Sequence, residues 1–249
     1  MLELRDLTKS FAGIRAVEQV SLTVEEGDFV SIIGPNGSGK TTVFNCITGF
    51  LRPDAGLVTF QSRDITRLAP YDIARLGLVR TFQSVRLFSK LSALDNLLVA
   101  IQQHQKESAM GRYLRSATVS RHEAYARNRA MALLSRIHLE EHADKLAGEL
   151  SYGQRKLLSI AAAIMPQPRL VLLDEPTAAV NPTAIVGIRD LLRELNAEGQ
   201  TFLLIEHNME FVMALSRRVV VLDAGREVAQ GSPEQVRSDA RVLAAYLGG

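Results

Sequence analysis

Apolar residues in the first thirty positions fall on alternate sites or in short continuous runs. "LELRDLTKSF", "VSLTV" and "DFVSIIG" therefore predict short strands, with "EEGD" as the turn between the last two. The period becomes helical from Thr41 to Gly49. "LRPDAGLVTF" reads as a turn running into a strand, and "LVRTFQ" as a strand that ends in polar residues. From about Leu91 to Glu149 Ala, Leu, Arg, Glu and His dominate. Helical spacing in "LDNLLVAIQQH" and "YARNRAMALLSRIHL" flanks "KESAMGRYLRSATVSRHE" (106–123), a polar segment that reads as a loop or a short extra helix. After Ser151 helices and strands alternate: "YGQRKLLSIAAAIM", "RLVLLDEP", "PTAIVGIRDLLRELNAEG", "TFLLIEH", "NMEFVMALS", "RRVVVLDAG". That alternation predicts an α/β fold with a mostly parallel sheet and helices on both faces. The expected organisation is an α/β core over 1–90 and 150–249. A helical subdomain over 91–149 interrupts it, and its last helix continues to about 165.

Composition narrows the class only a little. The chain has 249 residues, enough for one large α/β domain or a core with a subdomain, and is 47% hydrophobic and 22% charged. The 29 basic and 27 acidic residues nearly cancel, so charge argues for no nucleic-acid partner. No apolar run approaches the roughly 20 residues of a bilayer span. "MLELRDLTKSF" places charges where a secretory signal has its apolar core. Cys46 is the only cysteine and stands in an apolar helical stretch, which suits a core thiol in a reducing compartment. Any membrane role must come through a partner.

The candidate chemistry begins at "GPNGSGKTT", Gly34 to Thr42, which fits G-x-x-x-x-G-K-[ST] between an apolar strand and a helix. Gly34, Gly37 and Gly39 let the loop bend so that its N–H groups, those of Asn36 and Ser38 included, face a polyphosphate. Lys40 supplies a cation to the β and γ phosphates, and the helix N-terminus adds roughly half a unit of positive charge. Thr41 offers a hydroxyl to Mg²⁺ and Thr42 a donor to phosphate. "RLVLLDEP" ends a strand in two carboxylates, where doubly wound sheets hold their ligands. Asp174 suits the magnesium shell. Glu175 is placed to orient or deprotonate a water attacking the γ-phosphate. Alone such a pair would be a solvated turn; the Lys40 loop gives it meaning. Ser151 and Gln154 have capping-box spacing, and Gly153 lets a backbone N–H approach a ligand. That stretch is either a well-capped helix or a second phosphate-facing helix end. If the latter points away from its own Lys40 loop, it serves another molecule's nucleotide.

The ordered set "GPNGSGKTT", "RTFQ", "LSYGQ", "LVLLDEP", "LLIEH" closely resembles the ATP-binding subunits of ABC transporters across essentially the whole chain. The resemblance implies a P-loop NTPase core with a mostly parallel sheet, N-terminal antiparallel strands and an inserted helical subdomain. It implies ATP and Mg²⁺. Two such subunits would face head to tail, each ATP lying between the Lys40 loop of one and the Ser151, Gly153 and Gln154 helix end of the other. Phe11 matches the aromatic that stacks on adenine, although by itself it is a strand-end aromatic. Gln83 matches the glutamine that touches Mg²⁺ and the attacking water and moves with the membrane partner. His207 matches the histidine on the γ-phosphate. Tyr152 departs from the family's common glycine, and Asn181 stands where many relatives have aspartate. Asn181 before Pro182 is also a good helix cap.

Within the family, "GPNGSGKTTVFNCITGF", "VRTFQSVRLF", "NLLVA" and "VLAAYLGG" look like the branched-chain amino acid importers. Such a resemblance implies a second ATP-binding subunit, identical or related, two permeases and an extracytoplasmic solute-binding protein. It places the chain on the cytoplasmic face of the membrane, with Phe82 to Lys90 helping to receive a permease helix. Importers of urea, amides or other amino acids are alternatives, as are an exporter subunit and a soluble ABC ATPase. The last usually has two cassettes in one chain or a long coiled coil. A P-loop kinase or GTPase would leave "LSYGQ" and "LLIEH" idle.

Overall fold

Burial follows the sequence alternation where strands form. β1 (Leu2–Phe11) buries Leu2, Leu4 and Leu7, and β2 (Ile14–Val24) buries Val17, Val20, Leu22 and Val24. The step from Leu4 to Leu7 is three residues, so a strict period of two would turn Leu7 outward. A register shift between them, with Asp6 at φ 49° and Gln19 at φ 51°, restores the inward face.

The structure is a computed structural model that describes residues 1–102 and 116–247. Its contacts define two compact units: Met1–Gln83 with Arg169–Ala178 and Leu192–Gly249, and Ser84–Pro168 with Ala179–Leu191.

The first unit contains two sheets. β1 and β2 join β4 (Ala55–Phe60) and β5 (Arg63–Asp64) in an antiparallel sheet of order β2-β1-β4-β5. The larger sheet has the order β10-β9-β3-β8-β7-β6. It comprises β3 (Phe29–Ile33), β6 (Leu78–Arg80), β7 (Leu170–Asp174), β8 (Thr201–Ile205), β9 (Arg218–Asp223) and β10 (Arg226–Gly231). All its pairings are parallel except β9 with β10. Every residue of β3, β7 and β8 is buried, which is why they read as continuous apolar runs. One apolar cluster, containing Leu4, Val17, Phe44, Ile47, Leu172, Leu203 and Val220, joins both sheets to α1 (Lys40–Ile47). Cys46 lies in it, and burial pushes its thiol pKa up to about 11. Short α2 (Pro70–Arg75) precedes β6.

In the second unit, α3 (Ala93–Gln102), α4 (Ser116–Arg136) and α5 (Tyr152–Ile164) pack on one another. Buried Asn96 closes the loop before α3: its Oδ1 accepts from Phe88 N–H at 2.8 Å, and its amide donates to Phe88 O and Ser92 O. Arg129 donates to the carbonyls of Ile164 and Met165, satisfying groups left open at the end of α5. The division between units runs through α6 (Pro182–Ala197). The first unit finishes with α7 (Met209–Leu215), α8 (Pro233–Ser238) and α9 (Ala240–Leu247).

Several elements differ from the pattern reading. The strand expected in "LVRTFQ" stops at Arg80, and "VSLTV" is the end of a strand that starts at Ile14. β10 had no strand reading; Ala224 and Gly225, both at positive φ, turn the chain straight back from β9 in a two-residue hairpin. Of the 106–123 segment, 106–115 lie outside the described residues, and 116–123 belong to α4. Among the described residues no helix is long and apolar enough to cross a membrane.

Leu203→Ala, in the fully buried centre of β8, should destabilise the chain by about 2–5 kcal/mol. Exposed Leu243→Ala should stay within about 0.5 kcal/mol of wild type. Denaturant midpoints of the two variants test the assignment of the core.

Candidate functional site

Parallel strands bring their C-terminal ends to one edge. Asp174 pairs with Ile205 and Ile32 pairs with Ile205, so the residues that follow β3, β7 and β8 leave the sheet side by side. After β3 comes the glycine loop. Gly34 has φ 146°, and a Cβ there would sit 1.9 Å from the Leu222 carbonyl oxygen. Gly39 has φ 100°, and its Cβ would lie 2.3 Å from the Ala16 carbonyl oxygen. Neither position admits another residue without moving backbone. No side chain caps α1 and no acid stands in its first turn, so its N-terminal positive end is uncompensated from within the helix.

Lys40 is buried and folds back on its own loop. Its Nζ donates to Gly34 O and Pro35 O, each at 2.8 Å, and to Ser38 Oγ at 3.3 Å. Burial lowers its pKa from the ordinary lysine value, and the Glu175 carboxylate opposes that shift. Asn36, Gly37 and Thr41 are exposed, and Thr42 is half-buried. Phe11 is exposed at the end of β1, with the Lys9 ammonium 5.6 Å from its ring centre.

The two strand-end carboxylates have different surroundings. Asp174 Oδ2 accepts from the Arg80 guanidinium at 2.7 Å in a pair whose side chains are 6% and 10% exposed. Asp174 Oδ1 accepts no hydrogen bond among the described residues. It is a free hard-oxygen donor of the kind Mg²⁺ takes. Arg80 also donates to Asn45 Oδ1 at 2.7 Å, and its guanidinium lies 5.6 Å from the Phe44 ring centre and 5.2 Å from that of Phe82. Glu175 takes φ 46° and is anchored by its N–H to Ile205 O at 2.9 Å. Gln83 Nε2 donates to Glu175 Oε2 at 2.6 Å, and His207 Nδ1 lies 3.8 Å from Oε1. The His207 side chain is 60% exposed, while that of Glu175 is 21% exposed. Gln83, Asp174, Glu175 and His207 thus gather beside the Lys40 loop within one unit.

Ser151, Gly153 and Gln154 belong to the other unit. The capping box is formed: Ser151 Oγ accepts from Gln154 N–H at 3.2 Å, and Gln154 Oε1 from Ser151 N–H at 2.9 Å. Gly153 has a packing requirement of its own, since a Cβ there would come 2.6 Å from Ala184 Cβ. The Tyr152 ring lies under the Arg155 guanidinium at 5.8 Å. Asn181 Oδ1 accepts from Ala184 N–H at 2.8 Å and so caps α6.

Two residues escaped the sequence reading, Arg80 and Glu206. Glu206 is completely buried, and its carboxylate accepts hydrogen bonds from Thr177, His207 and Asn208. The signal for both was a charge inside an apolar strand run, "LGLVRTFQ" and "TFLLIEH", because charged side chains are almost never fully buried without partners.

A family model described as ABC transporter matches residues 17–178, and one described as branched-chain amino acid ATP-binding cassette transporter matches residues 226–249. The high-affinity branched-chain amino acid transport ATP-binding protein BraF of Pseudomonas aeruginosa is 44% identical, over 100% of this chain and 98% of that protein. LivG of Escherichia coli (strain K12), described in the same words, is 42% identical with the same coverage. A crystal structure of the ADP conformation of an ATP-binding cassette of an ABC transporter aligns with TM-score 0.85 and 35% identity, over 100% of this chain and 99% of that one. A dimeric bacterial ABC transporter cassette aligns with TM-score 0.77 and 29% identity, over 94% and 99%.

Arg80→Met should cost about 3–5 kcal/mol, because it strands the Asp174 carboxylate without its cation. Adding Asp174→Asn should recover part of that loss in the same denaturant titration.

Proposed function

Since the chain belongs to the ATP-binding cassettes of ABC transporters, we propose that it is the ATP-hydrolysing subunit of an importer for branched-chain amino acids. The observation that carries the hydrolytic part is the Glu175 carboxylate, placed between Gln83 and His207 beside the Lys40 loop. The solute assignment is supported by the full-length identity to BraF and LivG and by the match over 226–249.

In this reading the loop N–H groups from Gly34 to Thr42 and the N-terminus of α1 receive the phosphates. Lys40 exchanges its loop carbonyls for β- and γ-phosphate oxygens. A cation already dehydrated by burial makes that exchange at little further desolvation cost. Phe11 offers its exposed ring to adenine. Glu175 orients or deprotonates the attacking water, Gln83 holds Glu175 and contacts that water, and His207 donates to the γ-phosphate. Catalysis is then placement and charge stabilisation of an in-line attack. Thr41, Asp174 and Gln83 would hold Mg²⁺, whose charge would neutralise the phosphate oxygens when bound.

The Ser151, Gly153 and Gln154 helix end would cover the ATP of a second subunit, identical or related. The likeness to a dimeric cassette supports such pairing. Closure of the pair would act on two permeases, with Phe82 to Lys90 receiving a permease helix. That attachment would hold the chain at the cytoplasmic face of the membrane, and an extracytoplasmic binding protein would deliver the solute.

Glu175→Gln should lower ATP turnover by about 10²-fold or more and accumulate an ATP-bound dimer, visible by light scattering. A wild-type rate would exclude Glu175 as the base. Lys40→Ala should abolish nucleotide binding by calorimetry, and unchanged affinity would remove the phosphate-loop assignment.

A further inference from the structure

Glu206 bonds both the turn that carries Glu175 and the turn that carries His207, and the chemistry gives it no part. Its Oε1 accepts from the Thr177 N–H at 2.9 Å and from the Thr177 hydroxyl. Its Oε2 accepts from the His207 N–H at 2.8 Å and the Asn208 N–H at 3.0 Å. An ionised carboxylate only accepts, and its two oxygens offer about four lone-pair sites. The four donors therefore match what this group can take. They also come from two separate segments, the turn that follows β7 and the turn that follows β8.

Each turn is fixed at its other end. Glu175, two residues before Thr177, donates its N–H to Ile205 O, and its own carbonyl accepts from Ala178 N–H at 3.2 Å. Asn208 caps α7, accepting from Phe211 N–H at 3.1 Å. The carboxylate of Glu206 is thus the polar tie between a closed turn carrying Glu175 and a capped helix start carrying His207. Among the described residues no lysine or arginine pairs with it. Three backbone N–H groups and the Thr177 hydroxyl hold this buried charge, with the His207 imidazole Nδ1 3.9 Å from Oε2, which makes its geometry depend on both turns at once.

We propose that Glu206 is a positioning residue for ATP hydrolysis, setting His207 at its working distance from Glu175. This rests on the roles proposed above for those two residues. Glutamine has nearly the same shape but replaces one acceptor oxygen with an NH₂ group. Whichever way the amide turns, its donors face N–H groups of one turn, and that turn must move away. A buried group that only stabilised the fold would lower the fraction of active protein, and so the calorimetric stoichiometry, whatever stands at 207; a positioning group loses turnover at full binding stoichiometry and only while His207 is present.

The test is steady-state ATP hydrolysis by the purified full-length chain carrying E206Q, H207A, or both, with nucleotide affinity measured by calorimetry. E206Q should lower kcat about tenfold or more and leave KM for ATP within about twofold. In the H207A background E206Q should cause no further loss, because the distance it sets no longer matters. Losses that multiply, a wild-type kcat for E206Q, or kcat and KM impaired together would each overturn the proposal. Thr177→Val removes one donor and leaves the carboxylate in place. If E206Q does not fold, T177V should lower kcat about threefold with KM unchanged, and a wild-type kcat for T177V overturns the inference. H207A turning over at the wild-type rate would instead remove the role of His207 itself, whatever E206Q shows. A slow H207A beside a fast E206Q removes only the role of Glu206.

Discussion

Negative charge at the end of fully buried strands has to be paired, and the arrangement around the candidate site follows from that requirement. Asp174, Glu175 and Glu206 all leave adjacent strands whose residues are buried throughout. Each is satisfied differently. Asp174 has a guanidinium, Glu206 has four N–H and O–H donors, and Glu175 has one amide donor and a histidine at 3.8 Å. Glu175 is the least enclosed of the three by its partners and the one aimed at solvent. Under the proposed roles, Glu206 is committed wholly to the frame, Asp174 gives one oxygen to the frame and keeps the other for a metal ion, and Glu175 is left to act on water.

Arg80 extends that frame beyond the strand ends. One guanidinium touches Asp174 on β7 and Asn45 on α1, and it stacks against Phe44 and Phe82. Phe82 precedes Gln83, so a displacement of that segment would be felt at the strand carrying Asp174 and at the helix that opens the phosphate loop. A lysine could supply the charge but not the planar fork that reaches both partners. The same frame explains the glycines at 34 and 39, where the backbones of Leu222 and Ala16 come too close for any side chain.

The helix end at Ser151 is prepared by its own residues. The capping box uses the Ser151 hydroxyl and the Gln154 amide against each other's backbone, and Gly153 fits against Ala184. Tyr152, which departs from the family's usual glycine, has its ring engaged by Arg155. Asn181, in place of the usual aspartate, caps its helix. Both residues make their contacts inside one unit.

The linear pattern determined the class of this chain. Continuous apolar runs marked β3, β7 and β8 because strands buried on both faces have no polar side to show. Glycine, lysine and hydroxyl spacing marked the phosphate loop, and the ordered motifs marked Gln83, Asp174, Glu175 and His207. Such signals are local, carried by neighbours in the chain. Arg80 and Glu206 were not legible in that way, because each takes its meaning from partners far off in sequence: Arg80 from Asp174, 94 positions away, and Glu206 from Thr177, 29 positions away. β10 was missed because its pattern is weak alone and becomes a strand only against β9. Pairing across distance decides whether a charge in an apolar run is an error or a tie, and only the tertiary structure supplies the partner.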